Sequence, residues 1–285
     1  MTVYKNGNMI IRGTRHFSLE QCLTCGQAFR WKKKSNGFFG IALGREVYAE
    51  QTGRDVTLFG VDESAGVDFI RYFDLERDYG AIKQMYAHDA FLQQGIDFAH
   101  GIRVLRQPPF ETLISFIISS NNNVARISHI IDTLCERYGA RIGDECDFPS
   151  VDVLSSLSVK DVEACGAGYR AAYIVSAAKS VADGFNLDDL YGMPYKAARQ
   201  KLMTLNGVGP KVADCVALYS LGFTEAFPAD VWMRRVLSGV YGYQGKNDAN
   251  LMEFVDNQFG KYAGIAQQYL FHYARNNRHM LPNGK

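Results

Sequence analysis

Residues 205–236 read LNGVGPKVADCVALYSLGFTEAFPADVWMRRV. This stretch decides how the rest of the chain is read. Upstream, Tyr195 to Leu205 is rich in Ala, Lys, Arg, Gln and Leu, which favour helix. Gly207 and Gly209 then permit a backbone bend that bulkier residues resist. Pro210 suits the first position of a second helix. Val212, Ala213, Val216, Ala217 and Leu221 recur at helical spacing, so that helix buries a face. Amides at the bend and at the helix N-terminus bind phosphate without reading sequence, which points to Gly207 and Gly209 as nucleic-acid contacts. Lys211 falls in the first helical turn, where the helix dipole disfavours a cation and a neutral amine is favoured. A neutral lysine amine is a nucleophile. Asp230 follows 19 residues later, placed to cap another helix.

A Gly-rich helix connection with a surface lysine is the plain account of such a stretch. A lysine and a spaced aspartate together favour an enzyme. The stretch resembles the helix-hairpin-helix, Gly/Pro-Asp superfamily of DNA glycosylases. The runs Lys211-Val-Ala-Asp-Cys215 and Pro228-Ala-Asp-Val231 are most similar to its 8-oxoguanine DNA glycosylase branch. The resemblance implies excision of 8-oxoguanine, opposite cytosine, from double-stranded DNA. It also implies strand cleavage by β-elimination through a Schiff base on Lys211, with Asp230 stabilising the developing charge. Glycosylases for alkylated bases usually lack the lysine, so Lys211 argues against that activity. A non-catalytic hairpin protein would leave Lys211 and Asp230 without a purpose.

Outward from the hairpin, residues 110 to 138 read as long apolar helix, interrupted at Ser119-Ser-Asn-Asn-Asn123. Asparagines compete for backbone hydrogen bonds and suit a helix junction. The string Phe116 to Ile127 resembles the family's strand-insertion segment. The resemblance implies that Asn121 fills the gap left by an extruded nucleotide and that Arg126 reads the opposite cytosine. Gly166-Ala-Gly-Tyr-Arg-Ala171 puts glycines ahead of another helix. By family match, Tyr169 wedges between bases and Arg170 bonds to the orphaned base. Ala266-Gln-Gln-Tyr-Leu-Phe-His272 matches the segment lining the base pocket, with Gln267 on the Watson–Crick edge and Phe271 stacked on the base. Cys215 and Pro228 complete that pocket by the same match. At the hairpin, the family binds a monovalent or divalent cation on backbone carbonyls matching Met203, Leu205 and Val208. Tyr219 and Trp232 depart from the pattern, standing where relatives carry methionine and histidine.

Before residue 60, short apolar runs separated by turn residues read as strands: Asn8 to Arg12, Phe38 to Leu43, Glu46 to Glu50 and Asp55 to Phe59. Ser18 opens a short helix. Leu75 to Tyr86 and Phe91 to Ala99 read as helical. Cys25-Gly-Gln-Ala-Phe-Arg-Trp31 resembles a segment whose glycine carbonyl accepts the N7 hydrogen found on oxidised guanine only, which assigns Gly26 as the discriminator. Pro108-Pro109 marks a boundary. The expected architecture is α+β: a small antiparallel-sheet domain over residues 1–108, then a mostly α-helical domain over 109–285.

Net charge is +1, so any basic surface must be local. No apolar run reaches the length of a membrane span and the N-terminus is no signal peptide. The expectation is a monomeric cytoplasmic protein, associated with the nucleoid in a bacterium or nuclear in a eukaryote. Cys22 and Cys25 have the spacing of half a zinc site, but no second Cys/His pair matches it, so reduced, mostly buried thiols are expected. Only Cys215 follows residue 165, which rules out a four-cysteine iron–sulfur cluster after the hairpin. No cofactor is expected to be required.

Overall fold

The computed structural model describes residues 2–277; the Arg278-His-Met end of the basic tail lies outside them. Six strands form one antiparallel sheet: β1 (Thr2–Lys5), β2 (Asn8–Ile11), β3 (Trp31–Lys34), β4 (Gly37–Ala42), β5 (Arg45–Thr52) and β6 (Asp55–Phe59). Their order is β1-β2-β6-β5-β4-β3. Alternation sets the buried face, with Val47 and Ala49 of β5 fully buried and Tyr48 between them half-buried. Helix α1 (Leu19–Thr24) starts at Ser18, whose side chain accepts the Gln21 amide. Helix α2 (Glu63–Tyr72) closes the core from Met9, Val47, Val56 and Leu58 to Phe69, Tyr72 and Phe73.

Three elements here were not legible in the sequence. β1 is a short, half-exposed edge strand. β3 holds three exposed lysines after buried Trp31, so it lacks an apolar run. α2 contains Gly66, which looks like a break; a side chain there would collide with Tyr4, so the glycine serves close packing on β1.

The helical part begins with α3 (Tyr79–Met85) and α4 (Ala90–Phe98), then α5 (Pro109–Ile118) and α6 (Val124–Tyr138). A small hairpin, β7 (Arg141–Ile142) and β8 (Glu145–Cys146), leads to α7 (Val151–Ser156) and α8 (Val159–Val162). Ser158 and Asp161 form a reciprocal capping box at α8. After α9 (Arg170–Ala182) come the hairpin helices α10 (Tyr195–Leu202) and α11 (Pro210–Tyr219), then α12 (Val231–Tyr241), α13 (Asp248–Phe259) and α14 (Ala263–Asn276). All share one apolar core, which also takes in Leu92, Ile96 and Val104 from before Pro108. α14 is that core's axis: Ala263 to Leu270 are all buried.

Gln27 ties the Cys25–Gln27 turn to the 103–107 segment that leads into α5. Its side chain, fully buried, donates to the carbonyls of Cys22 (2.9 Å) and Arg103 (2.8 Å) and accepts the Leu105 amide (2.9 Å). Gln107 donates to the Gln27 carbonyl at 2.7 Å. The Cys25–Gln27 turn is thus fixed against the segment that enters α5.

Candidate active site and nucleic-acid interface

Gly207 adopts φ +84°, and a Cβ there would sit 2.5 Å from the Tyr173 Cβ, so both conformation and contact demand glycine. Gly209 differs from expectation. It is extended (φ −89°, ψ −179°), a geometry open to any residue. No side chain caps α11, and a Cβ at Gly209 would meet nothing within 4 Å. The glycine therefore leaves the first-turn amides of α11 uncovered, the arrangement that suits a phosphate.

Lys211 projects from that first turn. Its amine donates to the Ser119 hydroxyl at 2.8 Å and lies 5.0 Å from the centre of the Phe116 ring. Ser119 in turn donates to the Phe116 carbonyl at 2.7 Å. Asp230 is the N-cap of α12 and accepts the Met233 amide at 2.9 Å. Burial pushes its carboxyl above the ordinary aspartate value, against the pull of the Met233 amide and the Lys211 charge. Cys215, one turn beyond Lys211, is 1% exposed. Its thiol is pushed up to about 12 by burial, against Lys211 beside it, and stays protonated. Lysine, aspartate and neutral thiol thus share one site.

Of the residues matched to the base pocket, Gly26 lies in the Cys25–Gln27 turn, Gln267 and Phe271 on α14, Cys215 on α11 and Pro228 just before α12. Gly26 has φ +91°, and a Cβ there would lie 3.5 Å from the Phe271 ring and 3.3 Å from the Arg275 guanidinium. Gln267 is 3% exposed and donates to the Pro228 carbonyl at 3.2 Å. Cys25 and Cys22 are fully buried, each thiol pushed up to about 12 by burial and donating to a backbone carbonyl. All six cysteines are free and only Cys146 is partly exposed.

Asn121 and Tyr169 meet on the surface. Asn121 holds a left-handed backbone (φ +50°), and its side chain donates to the Tyr169 hydroxyl at 3.3 Å. Tyr169 is 56% exposed, and Arg126 is exposed on the first turn of α6. Arg170, matched to the orphaned base, packs directly behind the Asn121 and Tyr169 loops. It is 4% exposed, and its guanidinium donates to the carbonyls of Ser120 (2.7 Å), Asn121 (2.9 Å) and Ala167 (3.4 Å). A buried guanidinium needs partners for its donors, and three carbonyls of the Asn121 and Tyr169 loops supply them. In this structure Arg170 is a clamp behind the loops.

Ser119, Gln27, Tyr219 and Gln268 also build the site, yet only Tyr219 was singled out in the sequence. Ser119 lies within the quoted asparagine string, and its signal was a hydroxyl at a helix end. A cavity of about 840 Å³ lies elsewhere, beside Asp214 of α11, lined by Tyr195, Arg199, Asp214, Phe227, Asp248 and Leu251. The site residues do not line it. Among the described residues no three His, Cys, Asp or Glu side chains gather as a metal site, and no helix is long and apolar enough to cross a membrane.

Residues 9–113 match the family described as 8-oxoguanine DNA glycosylase, N-terminal domain, and residues 114–257 match the HhH-GPD superfamily of base excision DNA repair proteins. A probable N-glycosylase/DNA lyase of Methanothermobacter thermautotrophicus is 35% identical over 227 residues, 71% of each chain. An N-glycosylase/DNA lyase of Arabidopsis thaliana is 34% identical over 86% of this chain and 74% of its own. The 8-oxoguanine glycosylase/lyase of Clostridium acetobutylicum, solved with double-stranded DNA containing cytosine opposite 8-oxoguanine, superposes with a TM-score of 0.93. It is 37% identical, over 97% of this chain and 98% of that one. With both halves matched and the whole fold shared, the chain belongs to the HhH-GPD superfamily of base excision DNA repair proteins, among the 8-oxoguanine N-glycosylase/DNA lyases.

Proposed function

We propose that this protein removes 8-oxoguanine paired with cytosine from duplex DNA and then cleaves the strand, with Lys211 as nucleophile. The observation that carries the reading is the convergence of Lys211, Asp230 and protonated Cys215 at the open head of the hairpin helix. Residues 1–108 contribute lesion discrimination through Gly26, and residues 109–285 contribute grip and chemistry. Amides at Gly207 and Gly209 hold a backbone phosphate. Tyr169 and Asn121 enter the stack as one wedge, and Arg126 pairs with the orphaned cytosine. The extruded base lies on Phe271 between Cys215 and Pro228, with Gln267 on its Watson–Crick edge. Its N7 hydrogen reaches the Gly26 carbonyl. Guanine presents a lone pair there instead, a mismatch costing about 1–3 kcal/mol or more in a buried site.

The Lys211 nitrogen then bonds to C1′ as the C1′–N9 bond breaks. The departing base takes up a proton, and the Asp230 carboxylate stabilises the positive charge that develops on the sugar. Opening of the sugar ring gives the Schiff base. Loss of a C2′ proton then expels the 3′ phosphate. A cation at the carbonyls of Met203, Leu205 and Val208 would brace the hairpin. Carbonyl oxygens are hard donors that suit potassium or calcium, and the Leu205 carbonyl, although it accepts the Val208 amide at 3.1 Å, keeps a second lone pair. No step depends on that ion. Such an enzyme works where the DNA is, in nucleoid or nucleus.

A denaturing gel tests the reading. Duplexes carrying 8-oxoguanine, an alkylated base or no lesion are incubated with the protein. Cleavage only at 8-oxoguanine is expected; cleavage only at the alkylated base, or none, would overturn it.

A further inference from the structure

Behind the base pocket lies a buried polar network that the mechanism above does not use. Tyr219, at the end of α11, is 4% exposed and stacks on Phe116 at 5.2 Å between centroids, 19° between planes. Phe116 is the ring over which the Lys211 amine sits. The Tyr219 hydroxyl donates to the Gln268 carbonyl oxygen at 2.6 Å. Gln268 is fully buried, and its amide nitrogen faces the Cys25 carbonyl at 3.4 Å. That carbonyl belongs to the peptide that joins Cys25 to Gly26. Tyr219 also touches the Gln267 carbonyl oxygen, but at 3.4 Å.

A phenol has one proton. Burial raises the Tyr219 phenol well above its ordinary value, so it remains a donor at neutral pH. The short contact gives that proton to Gln268. Two consequences follow. The Gln268 amide is held in one orientation, with its nitrogen toward the Cys25–Gly26 peptide. The Gln267 oxygen is left with only a long contact, so it retains lone pairs for the donors of a purine Watson–Crick edge.

We propose that Tyr219 and Gln268 are positioning residues for lesion recognition. Together they set the Cys25–Gly26 peptide and keep Gln267 free to read the base. The inference rests on the 8-oxoguanine reading and names residues of this chain that tune it. An abasic site has no base to read, so its cleavage does not draw on the network.

The test compares two substrates in single-turnover reactions: a duplex with 8-oxoguanine opposite cytosine, and one with a preformed abasic site. Tyr219→Phe keeps the ring stacked on Phe116 and deletes only the hydroxyl. Excision of 8-oxoguanine should fall roughly tenfold, the scale of one net hydrogen bond, with abasic-site cleavage within about twofold of wild type. Gln268→Met removes the same link from the other end and should reproduce that split. In the double variant the losses should not multiply, since one network is broken once. Unchanged 8-oxoguanine excision in both single variants would overturn the proposal. Equal loss on both substrates would also overturn it, because Tyr219 would then act only by packing beneath Lys211. Failure of the wild type to cut 8-oxoguanine at all would sink the proposed function, a result distinct from either.

Discussion

Helix α11 borders two charged clusters on adjacent faces, one at Asp214 and one at Lys211, three residues earlier. On one face Asp214 is 5% exposed and saturated. It accepts from Arg199 at 2.6 Å and 3.3 Å and from the Tyr195 hydroxyl at 2.7 Å. Arg199 also reaches Asp248 at 2.7 Å and 2.8 Å, joining α10, α11 and α13. On the other face the Lys211 amine has a neutral serine as its partner, and the Asp230 carboxylate caps a helix. Asp214 and Arg199 are buried and joined by a direct salt bridge, whereas Lys211 and Asp230 are half-buried and make their short polar contacts elsewhere, to Ser119 and to the Met233 amide. Saturated charges fix a hairpin in place; a nucleophile must keep its lone pair reachable.

The comparison is broken most severely at Asp230. Asp230→Asn keeps the cap and removes the charge, and single-turnover excision should drop about 10²–10³-fold with lesion-DNA affinity little changed. The pH dependence sharpens this. Burial raises the Asp230 carboxyl, and the chemistry needs it ionised, so wild-type activity should fall on acidification at a higher pH than an ordinary aspartate would give. Stability moves the other way. A carboxyl raised in the folded state favours folding as pH falls from the folded value toward the unfolded one. A wild-type rate in Asp230→Asn would assign the aspartate to capping alone.

On the saturated face the effect should appear in stability. Arg199→Met strands a buried carboxylate and should cost about 3 kcal/mol in urea unfolding, while the folded fraction cleaves abasic sites at the wild-type rate. Burial already pushes Asp214 up to about 6, against the pull of Arg199. Loss of the arginine should therefore be less damaging at pH 5 than at pH 8. A rate loss without a stability loss would reverse the assignment of the two faces.

The smallest effect is expected at the exposed edge. Arg126→Met removes about 1–3 kcal/mol of partner discrimination, so the preference for cytosine over adenine opposite the lesion should shrink by roughly ten- to a hundredfold. Excision opposite cytosine should largely persist. Equal losses opposite C, T, G and A would make Arg126 a phosphate contact.

How much of this was legible varied with the range of the interaction. Local signals read well. Ser18 and Asp230 cap helices where they stand, and Pro210 opens α11 as its fixed φ requires. The match to known glycosylases supplied the site residues, which composition and spacing could not have joined across 200 residues of chain. What stayed hidden depended on tertiary contact. β3 is a strand because β4 pairs with it, despite its lysines. Gly66 sits within a helix because Tyr4 crosses it. The residue type of Arg170 does not reveal the three carbonyls that it holds behind the loop. Gln268 beside Gln267 looks like a repeat until the fold turns the first toward Cys25 and the second toward Pro228.

The central claim is that the unsaturated face of α11 holds the nucleophile. Borohydride trapping on duplex DNA with 8-oxoguanine opposite cytosine tests it directly, with wild type, Lys211→Gln and Arg199→Met side by side. Wild type and Arg199→Met should each give a covalent protein–DNA adduct, and Lys211→Gln should give none while still binding the duplex. An adduct of wild-type yield from Lys211→Gln would contradict the account and place the nucleophile elsewhere.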